Sequence, residues 1–187
     1  MNILKALLEH DSRYTMVKSI FDALSGNLRS LWQQAKNSDE ELEVDFLVEQ
    51  AEWMYGIAFV TAQTYITGTI ADANLLMKGK EAFKKHQLLK GFSNNIEGTN
   101  LTQLQLCDAI ANYFKHHEEW GDWELEGTKK WTISLLAEVG INEQSSFPCY
   151  VAAAKLWPEE DIVNLDNLLG LLADWREKTI LPLLEEI

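Results

Sequence analysis

The sequence predicts an all-α protein, a single domain over residues 1–187 built as one bundle of about six to eight helices. Three observations lead there. Apolar residues recur at intervals of three and four along most of the chain, with capping residues ahead of the runs. Prolines stand only at 148, 158 and 182, so long uninterrupted helices are permitted. The one stretch that reads as a strand, "TYITGTI", has no partner strand elsewhere.

The elements follow in order. "SRYTMVKSIFDAL" spaces Met16, Val17, Ile20, Phe21 and Leu24 helically, with Ser12 as the expected N-cap. Gly26 and Asn27 are expected to break this helix before "LRSLWQQAK" resumes it. Ser38 is the next cap, followed by acids that complement the helix dipole. From Glu40 a long helix is expected as far as Ile70. Phe46, Leu47, Trp53, Met54, Ile57, Val60 and Ile66 cover so wide an arc that it should be central and mostly buried. Thr102 and Gln105 have capping-box spacing and should open a helix whose inward face is Leu104, Cys107, Ile110, Ala111 and Phe114. Thr128 should start the next helix and Gly140 stop it. A short helix closed by Pro158 and a last helix bent near Pro182 complete the reading.

Composition narrows the function. The chain is 47% hydrophobic and 24% charged, which is ordinary for a globular domain. Its formal charge of −13 disfavours general nucleic-acid binding and suits either plain solubility or a protein partner with a basic face. One basic island breaks the acidity: Lys78, Lys80, Lys84, Lys85 and Lys90. It reads as a solvated helix and loop or, functionally, as a phosphate or RNA contact centred on Lys84 and Lys85. Cys107 and Cys149 lie among apolar residues without CxxC spacing, as small core residues in a reducing compartment would. "MNILKALLEHDSR" meets polar residues too early for a secretory signal, and no run is long and apolar enough to cross a bilayer, so a cytoplasmic setting is expected.

Chemistry concentrates in "IANYFKHHEEWGDW", residues 110–123. Asn112, His116, Glu119 and Trp120 fall on one side of a helix, while His117 points about 100° away. His116 and Glu119 can both ligate a metal, but the set is incomplete. There is no Glu-x-x-His, the only other histidines are His10 and His86, and Glu49 and Glu52 are the nearest further carboxylates considered. No metal or cofactor is therefore assigned, and no Gly-rich phosphate loop or Gly-x-Ser-x-Gly elbow occurs. Two readings without catalysis stay open. Asn112 and His116 can hydrogen-bond to a neighbouring helix under Trp120 and Trp123, in which case losing His116 would strand buried partners. Alternatively, Trp53, Trp120 and Trp123 can wall a small-ligand pocket.

"ANYFKHH" resembles the signature helix of the HEPN superfamily (higher eukaryotes and prokaryotes nucleotide-binding domains): an arginine, a polar residue, a short spacer and a histidine near a helix end. The resemblance implies an all-α bundle, frequently a homodimer with a composite site. Its activity would be metal-independent RNA cleavage in a prophage, toxin–antitoxin or defence setting. Asn112 takes the polar position and His116 that of the histidine. Ala111 stands where the arginine belongs. If His117 is the histidine instead, Asn112 stands there. Lys115 is the nearest cation. A guanidinium in such a site would hold the phosphate and stabilise developing charge, which neither Ala nor Asn can do. The resemblance thus implies the fold, and a regulatory or interaction role with weak or absent chemistry. Any catalysis would fall to His116 with Asn112 and Lys115.

Overall fold

One long helix organises the rest of the molecule. In the computed structural model, which describes residues 10–76, 82–92, 95–120, 123, 127, 129–158 and 161–185, helix α2 runs from Glu41 to Leu76. At 36 residues it is about 54 Å long. Helix α1 (Ser12–Asn37) packs beside it. The short α3 (Lys85–Gly91) leads to α4 (Gln103–His116), which lies against α2 and ends in a 3₁₀ turn at His117–Glu119. Helices α5 (Lys129–Glu138) and α6 (Pro148–Leu156) pack on α4, and α6 also on α2. Helix α7 (Asp166–Trp175) closes over α1, widens into a π turn at Arg176–Ile180 and continues as α8 (Leu181–Glu185). Among the described residues there is no strand, only an isolated bridge between Asn95 and Thr102. The all-α expectation holds, and no described helix is long and apolar enough to cross a membrane.

The core forms where α1, α2, α4, α6 and α7 meet. Phe21, Leu28, Tyr55, Ile66, Leu104, Ile110, Leu172 and Trp175 are fully buried. Several local expectations need correction. Asp11, not Ser12, caps α1. It adopts a left-handed backbone at φ 43° and accepts from the Tyr14 N–H at 3.2 Å. The same carboxylate accepts from the Tyr65 hydroxyl and lies 3.4 Å from the buried Arg176 guanidinium. Asp11 therefore serves as a cap and as a charge partner, a pairing of distant segments that Ser12 could not supply. Helix α1 also runs straight through Gly26 and Asn27. The stripe Phe21, Ser25, Leu28 is buried without a gap, and Ser25 accepts from the Leu165 N–H at 3.1 Å at the start of α7. Packing outweighs the roughly 1 kcal/mol a mid-helix glycine costs.

Helix α2 extends past Ile70 to Leu76, and the expectation that it is mostly buried is only half right. Phe46, Trp53 and Ile57 are exposed, at 62%, 54% and 44%. Other local expectations are met. Thr102 and Gln105 form a full capping box, with the Thr102 hydroxyl accepting from the Gln105 N–H at 3.2 Å and the Gln105 side chain accepting from the Thr102 N–H at 3.1 Å. Gly140 follows α5 at φ 81°, a left-handed conformation that favours glycine. The short helix α6 ends at Leu156, ahead of Pro158 as expected, and Pro148, which no expectation singled out, occupies its first turn, where the missing N–H costs nothing. The last helix widens just ahead of Pro182, at Arg176–Ile180. The expected starter Thr128 and the island residues Lys78 and Lys80 lie outside the described residues.

Candidate functional site

Helix α4 carries Asn112, Lys115 and His116 of the predicted site; Glu119 ends the 3₁₀ turn that follows, Trp120 comes next, and Lys84 and Lys85 stand at the start of α3. The faces of α4 sort what each residue meets. The inward face buries Cys107, Ile110 and Ala111 completely. Ala111 stands at the arginine position of the resembled motif, so an arginine there would enter the hydrophobic core. Burial pushes the Cys107 thiol far above its ordinary value, which suits an inert core residue.

A second face meets α2 through a buried amide that the sequence reading missed. Gln63 is 6% exposed. Its Nε2 donates to the Asp108 carboxylate at 2.6 Å and backbone oxygen at 3.2 Å, and to Asn112 Oδ1 at 2.9 Å. Its Oε1 accepts from Lys115 Nζ at 2.6 Å. Lys85 Nζ reaches the same Asp108 oxygen at 2.7 Å. Five side chains from α2, α3 and α4 thus form one connected polar network. Partial burial, then the neighbouring Lys85 ammonium, pull Lys115 below the usual lysine value. A signal for Gln63 was present in the sequence, since a lone amide inside "GIAFVTAQTYI" must find partners once buried.

The third face opens onto solvent. Asn112, His116, Glu119 and Trp120 line one open groove of about 650 Å³, joined across it by Lys129 and Thr132 of α5. The four residues predicted to share a side do share it. His116 Nδ1 lies 3.4 Å from Glu119 Oε2, and both side chains are largely exposed, at 48% and 74%. His116 thus does not hold a neighbouring helix together. Replacing it strands no buried partner, contrary to the structural role considered from sequence. Lys129 donates to the Trp120 carbonyl at 2.8 Å and fixes that end of the groove. His117 points elsewhere, with its Nδ1 3.1 Å from the Phe114 carbonyl and its ring stacked on Tyr113 at 5.0 Å between centroids.

The cations and the aromatics are divided in ways the sequence did not show. Lys84 is exposed at the start of α3, while Lys85 turns inward to Asp108, so the two adjacent lysines do not act as one patch. Lys115 turns to Gln63 and does not line the groove. Trp120 and Trp123 pack on Tyr113, at 5.8 and 5.5 Å. Trp53 instead meets the edge of Phe114 at 5.3 Å, so the three tryptophans do not wall one pocket.

The carboxylates considered as metal ligands are also separated. Glu52 accepts from the Cys149 and Tyr150 N–H groups, each at 2.8 Å, and caps α6 from another helix. Burial raises its carboxyl above the ordinary range, against the opposite pull of those two donors. Glu49 is exposed on α2. Among the described residues no three of His, Cys, Asp and Glu converge as metal ligands. What the groove offers is one histidine beside one carboxylate, an amide, the Lys129 ammonium, the Thr132 hydroxyl and an aromatic wall, in reach of solvent. The chain matches no family model, no curated protein and no solved structure.

Proposed function

We propose that the chain is a HEPN-like interaction or regulatory protein without robust nuclease activity, of the kind that serves prophage, toxin–antitoxin or defence systems. The reading rests on the fate of the cations around α4. The arginine position is a fully buried alanine, and Lys115 and Lys85 are engaged by Gln63 and Asp108. A phosphate in the groove would meet the His116–Glu119 pair and the Lys129 ammonium, which is engaged by the Trp120 carbonyl, with no guanidinium to hold it in a bidentate grip. With a net charge of −13, the surface suits a protein partner carrying a basic face.

One observation favours a second reading, a weak metal-independent ribonuclease. His116 is open to solvent in a groove large enough for a nucleotide, and a histidine can transfer protons there. The experiment is a cleavage assay on purified protein in chelator, with His116→Ala alongside. Little turnover is expected from either protein. Because His116 is exposed, the variant should melt within about 0.5 kcal/mol of the parent, so a change in activity would not be an unfolding artefact. Robust cleavage that vanishes in His116→Ala overturns the first reading in favour of the second. RNA guidance by the island is tested by reversing Lys84 alone, which leaves the Lys85–Asp108 pair intact.

A further inference from the structure

The outer face of α2 carries a second surface that neither reading uses. In steps of three and four from Leu42 to Leu75, its exposed residues run almost without charge, Glu49 being the exception on the line. Leu42, Trp53, Thr64 and Leu75 recur every 11 residues, the period that keeps one face of an α-helix in line over three repeats. Leu42, Phe46, Trp53, Ile57 and Leu75 are 82%, 62%, 54%, 44% and 60% exposed, and Met16 and Ile20 of α1 flank them at 69% and 41%. Together they present roughly 800 Å² of surface, beyond the few hundred Å² usual on a monomer and close to one side of a standard interface.

We infer that this face pairs with the same face of a second copy, with the two α2 helices antiparallel about a two-fold axis between Ile57 and Val60. The sequence of the stripe reads as its own complement in that register. Leu42 meets Leu75 of the second copy, Phe46 meets Ala71, Trp53 meets Thr64 and Ile57 meets Val60, so the two aromatics oppose small residues and aliphatics oppose aliphatics. Trp53 faces the groove of about 590 Å³ between α1 and α2, floored by Val60, Thr61 and Thr64 and walled by Met16 and Ile20. Glu49 meets Gly68, over which the Arg13 side chain lies in contact with its guanidinium paired to Asp72, so the one charge on the line meets no second acid. The other acids of α2, apart from Asp72, sit in its first third, Glu41 to Glu52, and this register sets them against the second half of the other helix, whose one acid, Asp72, comes level with Asp45 and is paired with Arg13. A parallel pairing would set Glu49 against Glu49. A basic amphipathic partner would leave its charges unmatched along that second half. The inference concerns a different face from the groove at His116 and stands or falls independently of it.

The test is sedimentation of the full chain, whose monomer is 21.4 kDa. A dimer is expected at micromolar concentration, tightening as salt screens the repulsion between two chains of charge −13. Ile57→Asp should give a monomer with a cooperative melt. Register is tested by oxidation of Leu42→Cys and Leu75→Cys chains; the native cysteines are both buried. The mixture should form a covalent heterodimer and neither variant alone should cross-link. If Ile57→Asp unfolds, this cross-link decides. A wild-type monomer at about 100 µM, a dimer indifferent to Ile57→Asp, or cross-linking of Leu42→Cys with itself would each overturn the inference. So would a wild-type monomer that binds a basic amphipathic peptide through this face, since it would assign the face to another occupant.

Discussion

Gln63→Leu tests whether the polar network between α2 and α4 is part of the fold or an incidental set of contacts. Leucine fits the space and removes both ends of the amide. The two Nε2 hydrogens serve a carboxylate, a carbonyl and the Asn112 oxygen, and at least one of these bonds is to a charged group. Bonds to charged groups contribute about 1.5–3 kcal/mol and neutral ones about 1 kcal/mol, before any gain from burying the leucine. Lys115 is exposed enough to return its ammonium to water, and Asp108 keeps Lys85. The expected loss is about 2–3 kcal/mol, or a fall of roughly 5–10 °C in Tm for a domain of this size. Urea unfolding with an unchanged m-value is the assay. A double-mutant cycle adds Lys115→Met. On its own it leaves the Gln63 Oε1 buried and unpaired, whereas in the Gln63→Leu background it should cost almost nothing, a coupling of about 1 kcal/mol. A Gln63→Leu protein within about 0.5 kcal/mol of the parent, with no coupling, would refute the argument.

Two further measurements follow from the packing of the helices. A Cβ at Gly26 meets nothing within 4 Å, whereas one at Gly56 would fall 2.2 Å from the Phe114 ring; Gly26→Ala should therefore stabilise by about 0.5–1 kcal/mol and Gly56→Ala destabilise by about 1–3 kcal/mol, and thermal melts in which both move the same way would reject the packing. Glu52 is raised in the fold, so the native state binds its proton more tightly than the unfolded chain; its contribution is greatest below the ordinary carboxyl value of 4.5 and is lost as pH climbs through the folded value. Comparing the Tm of the parent with that of Glu52→Gln, the parent should lose ground as pH rises from acid to neutral. A parent that gains ground would mean the two backbone donors outweigh burial.

Local signals are legible in the sequence where one segment contains both partners. The Thr102–Gln105 box, the glycine at 140 and the short helix that ends ahead of Pro158 are of this kind. The stripe Asn112, His116, Glu119 and Trp120 also comes together, although the α-helix ends at His116 and a 3₁₀ turn carries the last two. What was hidden depends on how helices lie against each other. Asp11 caps α1 while also holding a guanidinium more than 160 residues away in sequence, and the Gly26 break disappears because α7 covers Ser25. Lys84 and Lys85 are indistinguishable in sequence until α4 presents Asp108 to one of them. The arc on α2 was rightly seen as wide, but periodicity alone does not tell which part of an apolar circumference faces the core and which is left outside.

The carboxylate of Glu52 also bears on how the chain folds. Helix α6 is nine residues long, too short to persist alone in water. Two of its first-turn donors are satisfied from α2, 97 and 98 residues earlier in sequence. That closure must wait until a long stretch of chain has been gathered, which sets α6 among the late-forming parts of the molecule. A carboxylate acting so late governs how slowly the native state comes apart more than how quickly it forms. Glu52 thus behaves as a latch on the assembled bundle, and its worth is measured in the lifetime of the folded protein.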